Sequence, residues 1–192
     1  MWVLSRLLVG WCILLLSTQV FARAAEPTAG NPFVGLNFAS AEAEFDGLSD
    51  DQSRGFGFKL GVDYPASRLY ASLDFYSWEE AESLVISAHY DRLLRVHPYL
   101  TLFLGVNASL TDFEIDGRYD PKDFDTGPGV GAQAGILIPL SRSWQLEAGV
   151  RSDRFWVDAE VRAEDQPLDK LGFEAMSLGY VSLVFTSLGP GG

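Results

Sequence analysis

The sequence predicts an all-β fold, an eight-stranded, antiparallel, up-and-down transmembrane β-barrel. Three observations predict it. From Asn31 onward apolar residues recur at every second position, with hardly any helical spacing. The alternating segments are about ten residues long, the length of a tilted strand across a bilayer's hydrocarbon core. The connections alternate between short and long, as they do when tight turns occupy one end of a barrel and loops the other.

The chain opens on a segment unlike the rest. Arg6 precedes an apolar run from Leu7 to Leu16, and Ala22-Arg23-Ala24 has the small-x-small form that signal peptidase reads. Residues 1–24 are therefore expected to be a cleaved signal peptide, with Ala22 and Ala24 as its recognition positions, and residues 25–192 the barrel domain. The apolar run is shorter than the roughly 20 residues of a spanning helix. Cys12, the single cysteine, lies inside it behind Trp11, where lipid attachment would require a small residue. The exported chain is thus expected to be cysteine-free, without disulfides or thiolate-bound metal.

The strands follow in order. Val34, Leu36 and Phe38 share a face of the first, and Phe56, Phe58, Leu60, Val62 and Tyr64 a face of the second. Leu69 to Phe75 and Leu84 to Tyr90 alternate likewise in the third and fourth. In the fifth, Leu100, Leu102, Leu104, Val106 and Ala108 alternate with Thr101, Phe103, Gly105 and Asn107. Val130 to Ile138 gives the sixth, Trp144 to Val150 the seventh, and Phe173 to Phe185 the eighth, whose two faces are less sharply divided. Connections at Pro65–Arg68, Leu94–Pro98 and Pro139–Ser143 are read as short, those at Glu42–Arg54, Ser109–Gly127 and Asp153–Gly172 as long, and Ser77–Ala81 as a modest exception. Arg68, Arg92, Arg95 and Arg142 flank the short turns. Asp112, Glu114, Asp116, Asp120, Asp123 and Asp125 crowd one long loop, and Asp158, Glu160, Glu164, Asp165 and Asp169 another, so acidic charge is expected to face outside.

A soluble lipocalin-like barrel also has one apolar and one polar face, with the apolar face inward. The polar face decides between the two. It carries Gly57, Gly61, Gly105, Gly131, Gly135 and Gly149, together with Ser72, Ser87, Thr101 and Gln133. Glycine weakens a water-facing strand but suits a crowded interior. The polar face is therefore placed inward, with Lys59, Asp63, Tyr70, Asp74, Tyr76, His89, Asp91, Glu147 and Arg151 in the lumen. Buried charges cost several kcal/mol each unless paired, so the mixed signs imply an internal salt-bridge network, structural or gating. Phe33, Tyr64, Phe75, Trp78, Tyr90, Tyr99 and Trp144 near strand ends suit interfacial aromatic girdles.

The segments from Asn31-Pro32-Phe33-Val34-Gly35 to Ser177-Leu178-Gly179-Tyr180-Val181-Ser182-Leu183-Val184-Phe185 resemble the small OmpA-like and OmpX-like outer-membrane β-barrel proteins. That resemblance implies a place in the bacterial outer membrane, contact with its lipid and lipopolysaccharide, and assembly by periplasmic chaperones and the barrel-assembly machinery. In that family the last strand ends in an aromatic residue that the machinery reads, and Phe185 looks like it, although Thr186 to Gly192 follow.

Composition and motifs exclude other functions. The chain has 14 basic and 26 acidic residues, a net charge of −12, and no basic patch for nucleic acid. The glycine-rich Gly55-Phe56-Gly57 and Gly127-Pro128-Gly129-Val130-Gly131 start strands, not helices, so no phosphate loop forms and no nucleotide or other cofactor is expected. The acidic run Asp112–Asp125 lacks EF-hand spacing and contains Arg118 and Lys122, so it reads as a solvated loop without a metal. Ser87, His89 and Asp91 share a face, but neighbours on one face lie roughly 6.5 Å apart along a strand and point away from lipid. No local His-x-Ser pattern like that of the lipid A deacylases is present. A non-enzymatic structural or surface-interaction barrel is the leading reading, with a narrow gated channel and a periplasmic ligand-binding barrel as alternatives.

Overall fold

The computed structural model describes residues 30–46, 51–78, 81–115, 125–161 and 169–187. They form β1 (Asn31–Asp46), β2 (Asp51–Tyr64), β3 (Ser67–Ser77), β4 (Ala81–His97), β5 (Leu100–Ile115), β6 (Asp125–Pro139), β7 (Trp144–Val161) and β8 (Asp169–Thr186). Every strand pairs antiparallel with its sequence neighbours, and β8 returns to β1 to close the barrel. The predicted architecture is the observed one. The expected leader, with Ala22 and Ala24, lies outside the described residues.

The pairing fixes the barrel's shape. From Phe38 the row of paired residues runs through Phe56 and Phe75 to Leu84 in one direction. In the other it runs through Val181, Ala148, Ile136 and Leu102 to Leu94. The two ends of the row meet β4 ten residues apart, and with ordinary strand spacings that stagger tilts the strands roughly 40° from the barrel axis. Tilts of this size are usual in transmembrane barrels.

The outer wall is apolar. Phe38, Leu104, Val106, Val130, Val150 and Val181 all stand exposed on it, Leu104 at 68% and Val150 at 63%. A soluble protein does not show so continuous an apolar belt, whereas a bilayer requires it. This settles the direction of the faces against the ligand-binding alternative. Val62 belongs to the outward set by parity yet is 7% exposed. The chain entering β1 covers it, because a Cβ on Gly30 would stand 2.6 Å from Val62 Cγ1.

At one end the connections are tight, at Pro65–Ala66, Pro98–Tyr99 and Leu140–Ser143. In the last of these, Leu140 N donates to Trp144 O at 2.8 Å, and Trp144 N to Ser141 Oγ at 3.2 Å. At the other end the strands run further than the sequence pattern suggested. Ala43 still pairs with Asp51, so most of the expected connection Glu42–Arg54 is ladder. Asp112, Glu114, Asp125, Asp158, Glu160 and Asp169 likewise lie in strands, not loops. Once two strands are in register, backbone pairing continues past the apolar belt whatever the side chains. Asp116, Asp120, Asp123, Glu164 and Asp165 lie outside the described residues.

Two girdle assignments are corrected. Phe33 (1% exposed) and Trp78 (7%) sit inside the barrel, because strand parity overrides the preference of aromatics for the interface. Tyr64, Tyr90, Tyr99 and Trp144 do stand on the outer wall. An arginine at Val106 in mid-belt is expected to cost about 2–4 kcal/mol, read as a lowered urea midpoint of the folded barrel in lipid vesicles; no change would contradict the placement of this wall in hydrocarbon.

Candidate functional site

The lumen is built in three tiers. At the turn end Phe33, Tyr70 and Val184 pack together, with Phe103 and Leu137 also buried. At the loop end Ala41, Ala43, Tyr76, Trp78, Val85, Phe155, Met176 and Leu178 form a second apolar cluster. Between them lies a polar core. The structure places Lys59, Asp63, Asp74, His89, Asp91, Glu147 and Arg151 on the inner wall, and adds Arg68, Asn107, Gln133 and Asp153. The apolar residues of β8 that face inward, Met176, Leu178 and Val184, explain why its two faces looked alike in sequence.

Arg68 is the centre of the lower half of this core. It is fully buried, and its guanidinium donates to Asp91 Oδ2 at 2.8 Å and to Glu147 Oε2 at 2.8 Å. Lys59 Nζ donates to the same Glu147 oxygen at 2.6 Å. Asp63 stands at 4.0 Å from Arg68 Nε. Gln133 ties the group together by donating to Asp91 Oδ1 and to Tyr70 Oη. The Arg68 guanidinium also lies against three rings, 5.3 Å from the centre of Phe33, 4.9 Å from Tyr70 and 5.5 Å from Phe103. A weakly hydrated planar cation suits such a site, where it can stack and form directional bonds together. The sequence pattern places Arg68 beside a short turn and does not count it among the lumen residues; the structure keeps it beside the turn and points it into the lumen. Its parity with Tyr70 and Asp74 was the signal that could have placed it.

The upper half centres on Arg151. Its Nη1 donates to Asp74 Oδ2 at 3.3 Å and its Nη2 to Tyr76 Oη at 3.0 Å. Its Nε lies 2.8 Å from Asp153 Oδ2, an ion contact bent too far for a hydrogen bond. Asn107 Nδ2 donates to Asp153 Oδ1 at 2.7 Å, and Asn37 Nδ2 to Asp74 Oδ1 at 3.1 Å. His89 joins the halves. Its ring stacks on Tyr70 with centres 4.4 Å apart, and its Nε2 is 2.9 Å from Ser72 Oγ. Because Ser72 donates its hydroxyl proton to Asp74 Oδ2 at 2.8 Å, His89 Nε2 must carry the proton in that contact.

The row Ser87, His89 and Asp91 is not a catalytic set. His89 bonds to Ser72, Asp91 to Arg68 and Gln133, and Ser87 Oγ has no partner among the described residues. His97, at the turn end, accepts the backbone N–H of Tyr99 through Nδ1 at 3.3 Å. Among the described residues no group of His, Cys, Asp and Glu is disposed to hold a metal. A cavity of about 20 Å³ beside Lys59, His89 and Arg151 has room for about one water. Phe185 lies on the outer wall with its ring 5.1 Å from that of Trp144.

No protein-family model and no curated protein matches the chain. Solved structures do. Neisserial surface protein A (NspA) aligns over 81% of this chain and 97% of its own, at 15% identity and a TM-score of 0.68. Outer membrane protein H (OprH) of P. aeruginosa covers 82% of this chain and 99% of its own, at 24% identity and a TM-score of 0.57. The chain has the fold of the small outer-membrane barrels. That fold also carries catalysis, since the outer membrane enzyme PagL aligns over 76% of this chain and 97% of its own, at 15% identity and a TM-score of 0.51.

Removing Arg68 leaves Asp91 with Gln133 but without its cation, whereas removing Lys59 leaves Glu147 its bond to Arg68. Arg68→Met is therefore expected to destabilise the barrel by about 3–5 kcal/mol and Lys59→Met by clearly less, as read from urea midpoints in lipid. Equal losses would show that Glu147, not Arg68, organises the core.

Proposed function

We propose that this protein is a non-enzymatic barrel of the bacterial outer membrane, serving as a rigid anchor whose acidic loop end meets the medium or a surface partner. The observation that carries this reading is the plugged lumen. Apolar tiers at both ends close off a core whose charges are bonded to one another, which favours stiffness over passage. The loop end faces outside because tight turns lie on the periplasmic side in such barrels. Phe185, on the wall near the turn end, serves as the assembly signal, and periplasmic chaperones and the assembly machinery are the partners during biogenesis.

The histidines speak against catalysis. The chain has two; His89 is sealed at 2% exposure, and His97 stands at the turn end, on the periplasmic leaflet. Neither imidazole can serve as a general base for a lipid substrate in the outer leaflet.

A gated channel is the second reading, and one contact favours it. Glu147 is shared by Lys59 and Arg68, so Arg68 can swing away while the carboxylate keeps a partner. Planar-bilayer recording separates the two. As a plug, the wild-type protein is expected to give no steady conductance, and Arg68→Ala to lose stability without passing ions. A stable ohmic conductance that rises in Arg68→Ala would favour the channel.

A further inference from the structure

The apolar belt does not reach equally far towards the loop end all round the barrel. On β3 to β6 the outward positions stay apolar towards the loop end, through Phe75, Leu84, Leu110 and Val130. On β7, β8 and β1 they turn to Ser152, Ser177, Gly179 and Ser40, which are exposed. The wall is hollowed there. One depression of about 630 Å³ is lined by Ser40, Ser152, Ser177 and Gly179 with Leu104 and Val150. A second of about 870 Å³, sharing Ser40, Gly179 and Val150, runs among Phe38 and Ile136 and is also lined by Arg54. The combined hollow is thus polar towards the loop end and apolar below.

Cations flank it. Arg54 pairs in register with Ser40, which pairs with Gly179. Arg154 lies two positions beyond Ser152 on the other side and pairs with Ala175. Both are exposed, and neither forms an ion pair among the described residues. Among the described side chains they are the cations on the outer wall of the loop-end half. Glu42 lines the upper hollow, but its carboxylate accepts from Gln52 Nε2 at 3.2 Å, across to β2 and away from β8.

We propose that this hollow is a binding groove for a phosphorylated glycolipid of the outer leaflet. Its acyl chains lie along the apolar part, its sugar hydroxyls meet the three serines, and its phosphates meet Arg54 and Arg154. In a bilayer a hollow on the outer wall is filled by lipid; Ser177 Oγ donates to Ser152 Oγ in a long 3.5 Å contact, and the remaining hydroxyl donors, of Ser152 and Ser40, face hydrocarbon and take their partners from the lipid. Guanidinium forks bind phosphate bidentately. Two flanking cations suit a headgroup phosphorylated at two points, as lipopolysaccharide's lipid anchor is, better than a single-phosphate lipid. The groove lies on the wall and is independent of what the loops or the lumen do.

Gly179 supplies a clean probe, because a Cβ added there meets no atom within 4 Å. Gly179→Leu fills the groove from outside without touching the lumen. The test titrates the detergent-solubilised mature protein with purified lipopolysaccharide and follows backbone amide shifts, with the heat-dependent gel shift confirming that each variant is folded. Saturable shifts are expected on β8 and β1 around Gly179 and Ser40. Arg54→Gln with Arg154→Gln is expected to weaken binding about tenfold, and Gly179→Leu to abolish it, while Arg92→Gln at the turn end leaves it unchanged. Shifts elsewhere, or variants that bind like wild type, would overturn the proposal. Equal saturation by phosphatidylglycerol would reduce the groove to a general anionic-lipid surface, and by inorganic phosphate to an ion site, and either result would also overturn it.

Discussion

A closed wall of eight strands encloses a space only about as wide as the side chains that point into it. Whatever enters that space is cut off from bulk water, so each charged group there needs a protein partner. Arg68 satisfies the constraint most completely. It is fully buried, bonded to Asp91 and Glu147, and boxed by Phe33, Tyr70 and Phe103. Both partners lean on it. Through Gln133 and Tyr70 its influence reaches His89, and through Ser72 and Asp74 it reaches Arg151. The charged core is one connected unit and not a set of separate pairs.

The inner wall makes room for this core by a cross-strand rule. Gly57 stands opposite Asp74, Gly105 opposite Asp91, and Gly131 opposite Asp153. In each case a Cβ on the glycine would collide with the carboxylate oxygen. The same holds for two rings: Tyr76 lies over Gly55 and Phe155 over Gly129. A large inward side chain therefore leans across the neighbouring strand, and the glycine there is what lets it lie flat enough to reach a partner on the far wall. Glycine at these positions serves space rather than turn formation.

The alternation made the strands and the inward placement of Lys59, Asp74, His89, Glu147 and Arg151 legible, because a strand has only two faces. Two kinds of information were not legible. At strand ends the local rules conflict: parity puts Phe33, Arg68 and Trp78 inside, while charge beside a turn or aromatic character near an interface argues for outside. Parity won each time, since side-chain direction is fixed by the ladder and preference is only a statistical tendency. Contacts across the lumen, such as Lys59 with Glu147, depend on the ten-residue stagger of the closed barrel, which no local segment encodes. The extent of β1, β5 and β7 beyond the belt was missed for a related reason, as pairing with a neighbour continues after the hydrophobic signal has stopped.

The plugged interior bears on where function can lie. A lumen whose charges are bonded to each other and capped by Phe33 and Val184 at one end and Trp78 and Phe155 at the other gives a ligand no way in, even though buried atoms such as Ser87 Oγ and Thr111 Oγ1 have no hydrogen-bond partner among the described residues. Recognition is then left to the outer wall and to the loop end. These two surfaces differ in kind. The loop end is rich in carboxylates, which repel the phosphates of the surrounding leaflet, whereas the wall just below it presents Arg54 and Arg154 beside exposed serines. A cationic flank under an acidic rim holds anionic lipid close to the wall while keeping the rim itself clear, so the fold separates the surface that meets the membrane from the one that meets the outside.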